Sequence, residues 1–331
     1  MQRGAQLAVD QINARGGVRG RRLKLRLADD SASEDAAARV AQALYDNPAV
    51  VAVVGHLTSD ASIVAAQVYG GGTLPVTMIS PSASSPELSG IGPYVFRVCP
   101  SDSSHGAALA RFAWQTLAAR RAGILFISDA YGRGVRKHFA AGFARLGGTV
   151  VEADPYVTTT RSLEPYLSRM RRVGIDVLLL AADREGAELA LQQLRALGMP
   201  WPVIGGDALA GIETAGSLAE GMWISTAYLP DRPGEKNAAF VADYARAHPG
   251  ARPDHRGASA YDIVNLVAQA ITAAGPGRRA VRDYVARVGH EVPAFDGVTG
   301  RIAFDEAGDV PSKSVVIAVV RGGRLVAERG E

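Results

Sequence analysis

At 331 residues, 47% of them apolar and 21% charged, the chain is too long for one ordinary hydrophobic core and too apolar to be disordered, so two globular domains are expected. Its 36 basic and 33 acidic side chains nearly cancel to +3, and the arginines are scattered rather than gathered into a stripe with interleaved aromatics, which argues against a nucleic-acid partner. The one cysteine, Cys99, excludes an intramolecular disulfide and a thiolate metal site, and no window of 18 apolar residues is present to span a membrane.

The opening "MQRGAQLAVDQINARGG" has none of the charged, apolar and small-residue regions of an export signal. Ala5, Ala8, Val9 and Ile12 instead mark one face of a helix over 3–13, ended by Gly16 and Gly17. Alternation in "RRLKLRLADD" predicts a strand carrying Leu23, Leu25 and Leu27. An amphipathic helix follows at 35–46, then an apolar strand at 50–54, a helix at 60–69, a strand at 74–79, a Ser- and Pro-rich loop and a short strand at 96–98. The rhythm then restarts, with helices at 105–119, 133–146, 163–173 and 185–197 alternating with strands at 122–127, 149–153, 177–180 and 202–204. This spacing predicts right-handed βαβ units, and two successive series predict two doubly wound parallel sheets in an α/β fold. "YLPDRPGEK" reads as a crossover, and helices at 235–247, 257–274 and 278–288 follow without intervening strands. A turn at 306–309 precedes an apolar strand at 315–320 and a hairpin turn at Gly322-Gly323. The strand-poor helical block is expected to complete the first lobe after the second is made.

Ligands of an open parallel sheet collect beyond the carboxyl ends of its strands, where helix N-termini direct free N–H groups. After the strand at 50–54 comes "GHLTSD", in which Ser59 either caps the next helix or joins its N–H groups in holding a carboxylate. After 74–79 comes "SPSASSPE", where two prolines stiffen serines able to offer donors and carbonyl acceptors; the plainer reading is a polar turn. After 122–127 comes "SDAYGRG", with Tyr131 able to cover a small ligand and with Lys137 standing where a dinucleotide fingerprint needs its third glycine. Asp183 and Asp207 follow the strands at 177–180 and 202–204, as partners for an ammonium or, for Asp183, as a cap or a pair with Arg184. No catalytic set competes: the six histidines lack metal-ligand spacing, and no GxSxG elbow or phosphate loop occurs. No catalysis, metal or cofactor is therefore expected from these residues.

The segments "GAQLAVDQINARGGVRGRRLKLRLADD", "VAVVGHLTSDASIVAA", "MISPSASSPEL", "YVFRVCPSDSSHG", "SDAYGRGV" and "GRIAFDEAGD" run in order along almost the whole chain. Together they resemble the type I periplasmic solute-binding proteins of branched-chain amino acid ABC transporters. The resemblance implies two lobes, 1–103 plus 231–312 and 104–230 plus 313–331, joined by three hinge crossovers that close on an amino acid. It also implies delivery to an ABC permease and a periplasmic or lipid-anchored extracytoplasmic location. By motif position it assigns Leu57 to the pocket lining, the Ser59 hydroxyl and N–H to the ligand carboxylate, and Ser84 to carboxylate and amine. Ser82 is assigned a carbonyl contact to the amine, Tyr131 an aromatic wall in the second lobe, and Asp207 the place of the family's acid for the ammonium. Asp183 stands where some relatives carry tyrosine, which opens the side-chain pocket to a more polar or cationic ligand. The family's opening strand, the loop after it and an export signal are missing from the sequence, so an upstream segment is expected. An amino acid or amide sensor on the same fold is the alternative function, and a doubly wound oxidoreductase is disfavoured by the missing phosphate loop.

Overall fold

The computed structural model describes residues 1–328 and divides the chain into two compact units. Unit 1 comprises Met1–Ser101 and Pro230–Ser314; unit 2 comprises Asp102–Leu229 and the chain from Val315 onward, so the backbone passes between them three times.

Unit 1 opens with α1 (Gln2–Ala14), which buries Ala5, Ala8, Val9 and Ile12 and ends where Gly16 and Gly17 take φ of +96° and +77°. There follow α2 (Glu34–Tyr45), whose Ala36 N–H donates to the Ser33 cap, then β1 (Ala52–Val54), α3 (Ser59–Gly70), β2 (Thr77–Ser80) and β3 (Val95–Arg97). In unit 2 the chain runs through α4 (Asp102–Gln115), β4 (Arg121–Ile127), α5 (Ala130–Arg145), β5 (Thr149–Tyr156) and α6 (Glu164–Val173). It continues through β6 (Val177–Ala181), α7 (Arg184–Ala196), β7 (Val203–Gly205) and β8 (Trp223–Thr226). Back in unit 1 lie α8 (Glu235–Ala247), α9 (His255–Ala274), α10 (Arg278–Ala286) and a hairpin of β9 (Phe295–Gly297) with β10 (Gly300–Ile302). Strands β11 (Val316–Arg321) and β12 (Arg324–Ala327) return to unit 2.

The order β1-β2-β3 forms a parallel sheet covered on both faces. Val53, Met78 and Val95 join the cluster of Ala41, Leu44, Ala65 and Tyr69 from α2 and α3. Ile79 and Phe96 join the opposite cluster, with Ala8 and Ile12 from α1 and Ile263 and Leu266 from α9. Period-two alternation along short strands thus sorts side chains to two helical layers. Helices α1 and α9 approach so closely that a Cβ on Gly4 would lie 1.9 Å from the Gly257 carbonyl oxygen. In unit 2 the strand order is β12-β11-β8-β7-β6-β4-β5. Strands β8 to β5 along that order pair in parallel, while β11 is antiparallel to both β8 and β12. The apolar runs of β4 and β6 occupy interior positions, where a strand must be apolar on both faces.

Several expectations are corrected. Residues 23–27 are extended but form no ladder; Leu23 and Leu25 pack on the α1–α9 cluster, and Leu27 is 55% exposed. A strand needs a partner, and 23–27 has none in the sheet; Leu23 is held instead by Asn13, whose amide bonds its N–H and carbonyl at 2.8 and 3.0 Å. Helix α5 begins at Ala130 rather than 133, because Asp129 caps it and Gly132 fits where a Cβ would lie 2.0 Å from Ile127 O. Helix α4 begins at Asp102 rather than 105, so Asp102 and His105 are buried in its first turn. Strand β8 and the β9–β10 hairpin were not foreseen; both are short and lack a turn dipeptide of the strong hairpin type. Among the described residues no helix is long and apolar enough to cross a membrane.

A buried ionic group ties α9 to this hairpin. The Asp262 carboxylate accepts from Val298 N–H, Thr299 N–H and Thr299 Oγ1, and Thr299 Oγ1 accepts from Lys313 Nζ at 2.5 Å. Burial pushes the Asp262 carboxyl up and lowers the Lys313 amine from 10.5 to about 8. Between pH 8 and 10.5 the unfolded chain therefore holds a proton that the folded chain has released, so stability climbs with pH across that window. Urea unfolding of the wild type at stepped pH should show this climb, and Lys313→Met should lack it even though it starts from lower stability. An equal climb in both proteins would assign it to another group.

Candidate functional site

At the carboxyl ends of β1 and β2, unit 1 builds a surface of small polar groups. His56 is taken up structurally: its Nδ1 lies 2.5 Å from Asp30 Oδ2, its Nε2 lies 3.1 Å from Tyr69 Oη, and it is 4% exposed. Burial and the Asp30 charge push the Tyr69 hydroxyl well up, so it stays neutral. Thr58 holds the cap position of α3 without a side-chain cap bond, and Ser59 is the first helical residue. Ser59 Oγ is not a cap; it accepts from Ser85 N–H at 3.1 Å and so joins the two strand-end loops. The first N–H groups of α3 have no intrahelical acceptors and carry the positive end of the helix dipole.

The second loop is pinned from below. Ser80 Oγ donates to His56 O at 2.8 Å and accepts from Ala83 N–H at 2.9 Å and Ser82 N–H at 3.3 Å. Ser84, fully buried, makes no hydrogen bond with any described residue. Its N–H, carbonyl and hydroxyl are therefore available to a ligand, and burying them without one is costly. Ser82 and Leu57 are half-buried on the same two loops.

Unit 2 carries the opposite chemistry. Asp207, 2% exposed, begins a 3-10 turn, Asp207–Leu209, directly after β7. Its Oδ2 lies 3.6 Å from His105 Nε2, and His105 Nδ1 lies 2.9 Å from Ser225 Oγ on β8. Tyr131, in the first turn of α5, accepts from Ala208 N–H at 3.4 Å. Burial, with the Asp207 and Asp102 carboxylates beside it, pushes its hydroxyl well above the ordinary range, which keeps it neutral. Asp183, half-buried, caps α7 by accepting from Gly186 N–H at 2.8 Å and also accepts from Tyr156 Oη at 3.4 Å. Arg184 pairs with Glu188 and not with Asp183. The seven expected positions thus form two sets, Leu57, Ser59, Ser82 and Ser84 in unit 1 and Tyr131, Asp183 and Asp207 in unit 2. Among the described residues no cluster of three or more His, Cys, Asp or Glu side chains is arranged for a metal ion.

The periplasmic binding protein family model matches residues 1–324. The chain belongs to that family. This periplasmic binding protein is 28% identical over 328 residues to the Leu/Ile/Val-binding protein BraC3 of Rhizobium johnstonii, covering 98% of its own length and 87% of the relative. It superposes with a TM-score of 0.84, at 30% identity, on an ABC transporter substrate-binding protein from Desulfitobacterium hafniense in complex with Leu, covering 99% of this chain and 95% of that one. A leucine-binding protein of Thermotoga maritima gives a TM-score of 0.90 at 27% identity, over 99% and 92% of the two chains.

Sequence reading of the binding protein missed Asp102, His105, Tyr156 and Ser225, which surround the expected acids, and Arg97, which lies beneath the serine loop. A signal for Arg97 was present: an arginine between Phe96 and Val98 breaks an apolar strand where no surface face is available. His105 gave none, because its buried turn looks like loop in composition.

Two outcomes follow from this geometry. Ser59→Ala removes the acceptor of a buried N–H and should lower unfolding free energy by about 1–2 kcal/mol in urea. Gly206 has extended backbone, so alanine there is resisted by contact alone: its Cβ would sit 2.1 Å from Tyr131 Oη. Gly206→Ala should lower the melting temperature, and adding Tyr131→Phe should recover most of the loss; additive losses would mean the ring is elsewhere.

Proposed function

We propose that this extracytoplasmic binding protein captures a free amino acid and delivers it to an ABC permease, without catalysing a reaction. What carries the reading is the opposite chemistry of the two sets. Unit 1 offers a helix N-terminus beside a buried, unbonded serine; unit 2 offers a buried carboxylate at a strand end. A zwitterion has one pole for each.

In this reading the ligand carboxylate meets the α3 N–H groups with the Ser59 and Ser84 hydroxyls, the chemistry that favours anions at helix N-termini. The ammonium meets Asp207 and the Ser82 carbonyl, and Leu57 and Tyr131 enclose the aliphatic part. Hydrogen bonds to such charged groups contribute about 1.5–3 kcal/mol each. Asp183 sets the far end of the side-chain pocket and widens the range toward polar or cationic side chains. Each lobe then contributes part of the contacts, so ligand stabilises the hinge-closed state by its greater affinity for it. The named relatives, one described as a Leu/Ile/Val-binding protein and one seen in complex with Leu, support the amino acid class.

A thermal-shift panel of the twenty amino acids, their amides and aromatic carboxylic acids tests the class directly. A ligand present at 1,000 times its Kd adds about 4 kcal/mol of stability, a shift of several degrees. At least one amino acid should give it; a shift with aromatic acids alone would overturn the reading. Asp207→Ala should fold normally by circular dichroism and bind the responding amino acid at least 100-fold more weakly by calorimetry. Unchanged affinity would remove Asp207 from the site.

A further inference from the structure

Arg97 on β3 has no place in the ligand contacts just described, yet its guanidinium is among the most deeply buried charges of unit 1 at 1% exposure. A buried guanidinium is costly unless its donors are used in good geometry. Here both terminal nitrogens are used, while Nε makes no hydrogen bond to a described residue. Nη1 donates to Ser85 O at 2.8 Å and reaches Ala83 O at 3.5 Å, the carbonyls on either side of Ser84. Nη2 donates to Ser89 Oγ at 2.5 Å and to Asp309 Oδ2 at 2.7 Å, which closes the ion pair. Cys99 Sγ adds a weak contact to Ala83 O.

From the other side, Ser80 Oγ holds Ser82 and Ala83 N–H, and Ser59 Oγ holds Ser85 N–H. The loop is thus fixed at 82, 83 and 85, and only Ser84 between them keeps its polar groups unbonded within the described chain. We propose that Arg97 is a positioning residue for ligand binding, its Nη1 on the flanking carbonyls and its Nη2 anchored on Ser89 and Asp309 holding Ser84 at the height and orientation in which its unbonded groups meet the ligand. Lysine cannot reproduce this action, because its single ammonium nitrogen cannot occupy both the Nη1 place at the loop carbonyls and the Nη2 place at Ser89 and Asp309.

A purely structural role is the competing account, and the molecule supplies its own control. Arg278 grips carbonyls at the opposite ends of the same sheet: Nε donates to Val50 O, Nη1 to Leu74 O and Nη2 to Tyr45 O and Asn47 O, at 2.7–2.9 Å. Arg278 is the same chemistry in the same unit, ahead of the strands rather than beyond them. If arginines here serve stability alone, Arg97→Lys and Arg278→Lys should behave alike.

The experiment compares both variants with wild type. Calorimetry with L-leucine, at a temperature where circular dichroism shows all three folded, should give at least a tenfold weaker Kd for Arg97→Lys and a Kd within threefold of wild type for Arg278→Lys, although both melt lower. Equal affinities, or equal losses, would overturn the proposal. The proposal rests on the amino acid reading only for that arm. Hydrogen exchange of the ligand-free proteins is independent of it: Arg97→Lys should speed exchange at Ala83 and Ser85 while leaving β2 protected, and unchanged exchange there overturns the proposal whatever the ligand is. If Arg97→Lys does not fold, Arg97→Met with Asp309→Leu replaces the pair by apolar side chains, a change often neutral for stability. That double variant should fold, exchange faster at 83–85 and lose affinity.

Discussion

The carboxyl ends of parallel strands force backbone polar groups to turn inward where water is scarce, and each must find a partner. Unit 1 meets this constraint with side chains from its own strand ends. Ser80 satisfies three groups at once, one carbonyl and two N–H, because a hydroxyl both donates and accepts. Ser59 satisfies a fourth and Arg97 the next two. With all of these met, Ser84 is the residue of the 82–85 loop whose groups bond no described residue, and in the proposed reading it is completed by the ligand. Small hydroxyl residues dominate because the groups to be satisfied lie within a few bonds of the chain itself.

Unit 2 answers the same constraint with acids. Asp129 and Asp183 each end a strand and cap the following helix, and Asp207 ends a third. Two tyrosines lie among them and stay protonated, since burial and neighbouring negative charge both oppose ionisation. A carboxylate in such a low-dielectric setting attracts a cation more strongly than one in water. The asymmetry between a donor-rich unit and an acid-rich unit is what the proposed zwitterion recognition rests on.

Much of this was legible in the sequence, for stated reasons. Strands β4 and β6 are apolar without interruption, and α1, α8, α9 and α10 carry long amphipathic patterns, so element type follows from period alone. The strand-end positions of Ser59, Ser84, Asp183 and Asp207 followed from alternation and the rule for open sheets. What failed was whatever depends on a partner distant in sequence. Residues 23–27 alternate like a strand, but pairing requires a neighbour that alternation does not supply. Asp102 and His105 sit in a segment polar in composition, and the packing of α4 within unit 2 buries them. Ser59 looked like a helix cap because caps are local; its actual acceptor role joins residues 26 apart.

The two units also differ in how tightly the site is bound up with the fold. In unit 1, Ser59, Ser80 and Arg97 hold buried backbone that belongs to the β1–β2–β3 layer, so losing any of them removes a partner from the core and from the site together. In unit 2, the central strands β4 and β6 complete their burial with apolar side chains, Asp183 and Asp207 lie in the turns after the strands, and Tyr131 in the first turn of α5 is itself part of the core. Changes at the two acids leave the apolar packing of the strands untouched, whereas a methyl on Gly206 or Gly186 would invade it by meeting the hydroxyl of a core tyrosine. In the proposed reading, recognition of the ligand carboxylate is therefore the constrained half, and discrimination among side chains is the adaptable half. Asp183 fits that division: its Oδ1 is committed to Gly186 and Tyr156, which fixes the carboxylate's direction, while the identity of the residue remains open to exchange by any side chain able to cap α7.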